Sequence, residues 1–105
     1  MHITILSIGD EYGESRLSDH VGLELDYIKP ITEDETRPET CVKTVEDVRN
    51  LKNEELLSYG MLEENGALYD NPFDIMTREQ VLQMYTTVLC AYEDSTPVQV
   101  FDAHI

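Results

Sequence analysis

The sequence predicts an α+β fold: a small, mostly antiparallel sheet packed on one face against two main helices, in the order ββα(ββ)αβ. Residues 77–92 place Val81, Leu82, Tyr85, Val88, Leu89 and Tyr92 at three- and four-residue steps, which makes one apolar stripe on a helix. Residues 2–8 are a short run rich in β-branched side chains, and residues 21–28 alternate apolar with polar. Asn65-Gly66 lies between apolar pairs and signals a tight hairpin, whose turn positions need positive φ.

Residues 2–8 predict an inner strand, ended by Gly9. Residues 9–20 form a polar connection with Asp10, Glu11, Glu14 and Asp19, long for a hairpin and with room for a short turn of helix. In the next strand Val21, Leu23, Leu25 and Tyr27 are expected on the core face, with Glu24 and Asp26 in water. It is expected to pair antiparallel with the first strand and to close at Lys29-Pro30, because proline donates nothing to a ladder. Residues 29–40 form an acidic, proline-containing loop through Glu33-Asp34-Glu35 and Arg37-Pro38-Glu39.

Residues 44–59 read as helix, opened by a capping box of Thr44 and Asp47. Their stripe of Val45, Val48, Leu51, Leu56 and Tyr59 drifts near Asn53. The alternatives are one helix or two short ones with Asn53 as a cap. Thr77 with Gln80 is a second capping box, and Ser95-Thr96-Pro97 ends the main helix. Residues 98–103 predict a last strand. The 105 residues are expected to form one domain around a single modest core.

Charge is the least ordinary feature: 22 Asp and Glu stand against 7 Lys and Arg, a formal net of −15. Such a field repels nucleic acid and anionic membranes and attracts basic surfaces. Its magnitude is about twice the upper end that solubility recommends for a small domain. Cys41 and Cys90 are too few for a disulfide framework, and no basic region followed by an apolar run opens the chain. A cytoplasmic protein without a signal peptide is therefore expected.

Catalytic chemistry finds no positive support. His2, His20 and His104 share no ligand spacing, and Asp70-Asn71-Pro72-Phe73-Asp74 reads as a turn before a helix. Gly9-Asp10-Glu11-Tyr12-Gly13 is acidic where a phosphate cradle is neutral or basic. Cys90 reads as a packing residue within the main helix. No catalytic residue, metal or cofactor is expected. A small metal-dependent enzyme would require three or more ligands converging in a cleft.

The acids are more informative by placement. Glu93 and Asp94 close the main helix, where exposed anions are unfavourable by about 0.3–1 kcal/mol each. Glu24 and Asp26 share a strand face, and Glu54-Glu55 and Glu63-Glu64 are unbalanced pairs. From Glu63 onward there are eight acids and one base, Arg78. A surface tuned for folding alone intersperses signs.

In size and charge the chain resembles the small acidic inhibitors of bacteriophages and mobile elements. These include DNA-mimic anti-restriction proteins, anti-CRISPR proteins and acidic immunity proteins of nuclease toxins. The expectation is a non-enzymatic protein that binds a basic nucleic-acid-handling partner, with no direct contact to nucleic acid or membrane. The expected contact residues are Glu24, Asp26, Glu33, Asp34, Glu35, Glu54, Glu55, Glu63, Glu64, Glu93 and Asp94, with Tyr12, Tyr59 or Tyr69 as anchors. The alternative is an assembly subunit of a phage or bacterial complex, in which acidity aids solubility.

Overall fold

The computed structural model describes residues 2–9, 13–23, 25–31, 42–69 and 76–104. Its strands are β1 (His2–Ile8), β2 (Tyr27–Pro30), β3 (Tyr59–Leu62), β4 (Leu68–Tyr69) and β5 (Val98–His104). Its helices are α1 (Gly13–Ser18), α2 (Val45–Arg49), α3 (Asn53–Leu57) and α4 (Arg78–Leu89). The five strands make one sheet in the order β2-β5-β1-β3-β4. Three pairings are antiparallel, and that of β1 with β3 is parallel. The fold is α+β, as the sequence predicts, with more helices than the two expected.

β1 is the central strand, an inner one as expected. It pairs with β5 along its whole length, from His2↔His104 to Ile8↔Val98, and with β3 from Thr4↔Tyr59 to Ser7↔Leu62. Successive side chains point to opposite faces. Leu6 and Ile8 therefore join Met61, Val98 and Val100 under α2, α3 and α4, where Val45, Val48, Leu56, Val81, Tyr85 and Val88 pack. Ile5 faces the other way with Leu62, Phe101 and Ala103, covered by Leu17 of α1 and by Leu25. The sheet is thus covered on both faces, a correction to the expected one. The cover on the second face is the polar connection after β1, whose Leu17 is fully buried.

The second strand also differs from expectation. Both edges of β1 are taken by β5 and β3, so β2 pairs with β5 instead, through Tyr27↔His104 and Pro30↔Phe101. Among the described residues, Val21, Gly22, Leu23, Leu25 and Asp26 do not extend it. Gly22 takes φ +88° and turns the chain. Its N–H donates to the Leu25 carbonyl (2.7 Å), and the Leu23 and Leu25 N–H groups both donate to the His20 carbonyl. Of the four side chains expected inward, Leu25 is buried, while Val21, Leu23 and Tyr27 are 39%, 78% and 47% exposed. Pro30 ends an edge strand, where its missing donor costs least.

The local signals are met. Of residues 44–59, Val45–Arg49 and Asn53–Leu57 form two short helices, with the Thr44–Asp47 capping box opening α2, whereas Tyr59, expected on the helical stripe, is the first residue of β3. Lys52, not Asn53, occupies the N-cap of α3. In α4, Thr77 Oγ1 accepts from the Gln80 N–H (3.2 Å) and Gln80 Oε1 accepts from the Thr77 N–H (2.9 Å). The helix stops at Leu89, and Tyr92 packs half-buried from the turn that follows. Asn65-Gly66 joins β3 to β4, with Gly66 at φ +88° and the Asn65 side chain accepting from the Ala67 N–H at 2.9 Å.

Tyr85 ties α4 to the sheet. Its hydroxyl donates to the Tyr59 carbonyl at 2.5 Å from a ring 1% exposed. At the start of α1, Gly13 lies against β1 and β5. A methyl there would strike the Ser7 hydroxyl and sit 2.7 Å from Gln99 Oε1. Gly13→Ala is expected to destabilise the protein by about 1–3 kcal/mol, the usual range for overpacking. Thr77→Ala is expected to cost about 0.5–2 kcal/mol through loss of the cap. Urea denaturation checks both, and a Gly13→Ala midpoint equal to the parent's would contradict the close approach of α1.

Candidate functional site

Because β1 and β3 run parallel, their C-terminal ends lie at the same end of the sheet. Beyond β1 comes Gly9, and beyond β3 come Glu63 and Glu64. Gly9 has φ +122°, and the Glu64 side chain fills the space where a Cβ would stand. Tyr92 reaches the same place from the end of α4. Its hydroxyl accepts from the Glu64 N–H (3.3 Å) and lies 3.5 Å from Glu63 Oε1. The Tyr69 hydroxyl donates to Glu63 Oε2 at 2.6 Å.

The Glu63 carboxylate is therefore fixed between two phenols. Its hydrogen bond to Tyr69, aided by burial, holds that proton and raises the Tyr69 pKa above the ordinary 10.0. Burial raises Tyr92 as well, with the Glu63 and Glu64 charges adding and the Glu64 N–H opposing.

Glu93 and Asp94 follow Tyr92 directly. Glu93 is exposed. Asp94 pairs with Arg49, whose Nη2 also donates to the carbonyls of Leu89 (2.7 Å) and Tyr92 (2.8 Å). The structure thus brings Glu63, Glu64, Glu93 and Asp94 around the Tyr92 turn. Glu64 and Glu93 keep exposed side chains, whereas Glu63 is half-buried and Asp94 is partly neutralised by Arg49.

The remaining expected contacts lie elsewhere or are not placed. Glu54 and Glu55 are exposed in the first turn of α3, and Glu54 lies 3.5 Å from the Arg78 guanidinium. Exposed pairs of this kind contribute about 0–1 kcal/mol. Asp26 lies at the opposite end of β5, its Oδ2 3.1 Å from His104 Nδ1. Tyr59 and Tyr69 are half-buried against the core, not standing out as anchors. Glu24, Glu33, Asp34, Glu35 and Tyr12 lie outside the described residues, as do Cys41 and most of the 29–40 loop.

Two features escaped the sequence. The first is a ring cluster at the His2 end of β1. His2 and His104 are cross-strand partners with centroids 5.1 Å apart, and Tyr27 stacks on His104 at 5.5 Å. His2 Nδ1 lies 3.2 Å from Asp102. His2 and His104 sit near opposite ends of the sequence and are united by the β1–β5 register, while the β2–β5 register adds Tyr27. Among the described residues, no three His, Cys, Asp or Glu are placed to hold a metal ion.

The second feature is the exposure of Val21, Leu23 and Tyr27. Gly22 was its signal, since a glycine inside an alternating run marks a break in the strand. A cleft of about 440 Å³ also lies between the helices, lined by Val48, Leu51, Leu56, Leu82 and Leu89 with the exposed Cys90. Among the described residues, no helix is long and apolar enough to cross a membrane. Compared with protein-family models, characterised proteins and solved structures, the chain matches none.

The tyrosine–carboxylate contacts have a pH signature. Both phenols have raised pKa values in the folded state, so their contribution to stability is full below about pH 10 and is lost as pH rises through the folded values. Tyrosinate absorbance is expected to show a late-ionising fraction from Tyr69 and Tyr92, abolished by unfolding in urea. Glu63→Gln is expected to shift the Tyr69 part to lower pH. A titration unchanged by that substitution would contradict the Glu63–Tyr69 contact.

Proposed function

We propose that this chain is a non-enzymatic inhibitor that binds a basic nucleic-acid-handling protein, such as a nuclease, restriction or CRISPR-type effector. Its carboxylates would occupy positions that phosphates take in the partner's groove. The observation that carries this reading is the net charge of −15, with 22 acids against 7 bases. Proteins that grip nucleic acid do so largely through Lys and Arg contacts to phosphate. A folded acidic surface competes for those contacts by charge and shape and needs no reacting group.

The turns around Tyr92 supply the folded support. Glu64 and Glu93 are exposed there, with the Glu64 N–H donating to the Tyr92 hydroxyl and the Glu93 carbonyl accepting from the Thr96 N–H. Fixed carboxylates lose less entropy on binding than carboxylates on a mobile tail.

A second reading, an assembly subunit of a phage or bacterial complex, draws on the exposed Val21, Leu23 and Tyr27. Affinity capture from a bacterial lysate separates the two. Recovery of a nuclease, restriction or CRISPR component supports inhibition, and recovery of structural partners or of the chain itself supports assembly. With a captured effector in hand, affinity is expected to fall by about tenfold or more between 50 and 200 mM salt. The pair Glu64→Gln with Glu93→Gln is expected to weaken binding and flatten the salt slope while leaving the fold intact. Affinity independent of salt would overturn the charge-driven mode.

A further inference from the structure

We infer that His2 and His104 form a two-histidine site for a zinc ion at the end of the β1–β5 ladder. The site is independent of the proposed inhibition and needs no partner protein.

Strand register makes the pair. His2 and His104 stand directly opposite each other on β1 and β5, and Tyr27 stands opposite His104 on β2. Opposed residues share a face of the sheet, with Cβ atoms about 4.5–5.5 Å apart. The two imidazole centroids are 5.1 Å apart, with their planes at 82°. A Zn–N bond of about 2.0–2.1 Å sets a ring centroid about 3.2 Å from the metal, and a tetrahedral angle then separates two centroids by about 5.2 Å. The rings already stand at that separation. Tyr27 stacks on His104 at 5.5 Å and 9°, and meets His2 edge-on at 6.2 Å, so aromatic contact steadies both rings.

A carboxylate stands behind each ring. His2 Nδ1 lies 3.2 Å from Asp102 Oδ1, and His104 Nδ1 lies 3.1 Å from Asp26 Oδ2. An ionised carboxylate only accepts, so each neutral imidazole carries its proton on Nδ1 and a lone pair on Nε2. Metal-ligating histidines almost always donate their other N–H in this way, which fixes tautomer and ring orientation and raises the basicity of the ligating nitrogen. Asp26 and Asp102 are then orienting groups and not ligands. The two imidazoles are the protein ligands and water fills the other positions, in keeping with the absence of any three converging ligand side chains among the described residues.

Charge and access both favour a dication here. Asp26 and Asp102 stand against Lys29, the β2 register partner of Asp102, in a chain of net charge −15. The side chains of His2 and His104 are 57% and 32% exposed, so an ion reaches them from solvent. Imidazole nitrogen selects zinc over magnesium and calcium, which prefer oxygen. His20 is placed differently, with Nε2 at 2.9 Å from the Gly66 carbonyl, and serves as an internal control.

Calorimetric titration of the full chain with Zn²⁺, in excess Mg²⁺ to occupy surface carboxylates, tests the site. A single Zn²⁺ per chain is expected to bind, with the NMR ring signals of His2 and His104 shifted and those of His20 unmoved. Asp102→Asn is expected to weaken binding by about tenfold, the low end for an outer carboxylate, and His2→Gln or His104→Gln by more than that. His20→Gln is expected to leave the affinity unchanged. Zn²⁺ is also expected to raise the melting temperature of the parent chain but not of His104→Gln, since an ion that binds only the folded state stabilises it. Should His104→Gln fail to fold, His2→Gln at the more exposed ring carries the same test. Zinc affinity that both histidine substitutions leave unaltered would assign the ion to carboxylates or cysteines and overturn the inference. Absence of Zn²⁺ binding in Mg²⁺ would overturn it as well, and would leave the charge-driven reading untouched.

Discussion

The ladder between β1 and β5 is the constraint on which the rest of the molecule depends. It joins residues from the two ends of the described chain, with His2 opposite His104 and Ile8 opposite Val98. Closing so long a loop costs entropy before any contact forms. The compensation is burial on both sides of one strand, since Ile5, Leu6, Ser7 and Ile8 are all fully inaccessible. Once this ladder exists, β3 has one free edge of β1 to join and β2 has one free edge of β5. The sheet order follows from those openings, and so does the division of the apolar side chains into two cores.

That two-sided core must also withstand repulsion among the acids. The helix end at Leu89 shows how local conflicts are settled. Glu93 and Asp94 lie close to carbonyls that already carry partial negative charge. Arg49 arrives from α2 and donates to the carbonyls of Leu89 and Tyr92 while pairing with Asp94. One cation thus serves the helix terminus and an acid together, and it fixes α2 to α4. Glu63 finds a different solution, with tyrosine hydroxyls at both of its oxygens. Glu93 remains exposed, and Glu64 stays exposed as well although its side chain packs on Gly9.

What the sequence revealed was what acts over a few residues. The Thr44–Asp47 and Thr77–Gln80 boxes, the stripe of α4 and the Asn65-Gly66 turn each depend on groups within about four positions, so reading them needs no knowledge of the fold. The errors arose where register decides. Alternation at Val21, Leu23, Leu25 and Tyr27 has the period of a half-buried strand. Gly22 broke that strand, and the edges of β1 were already occupied. The acids were legible as composition, while their grouping was not. Tyr92 gathers Glu63, Glu64 and Glu93 through a contact spanning nearly thirty positions, and Arg49 selects Asp94 from another helix.

Charge and apolar exposure do different work in a binding surface. A field of −15 draws any basic surface and discriminates poorly among them, because screened attraction is long in range and weak in direction. Discrimination needs groups whose energy depends on fit at short range, and buried apolar side chains supply it in most interfaces. In an acidic chain such groups are informative wherever they remain outside the core. Leu23 meets that condition, since Leu25 two positions away is buried in the second core while Leu23 is left in water.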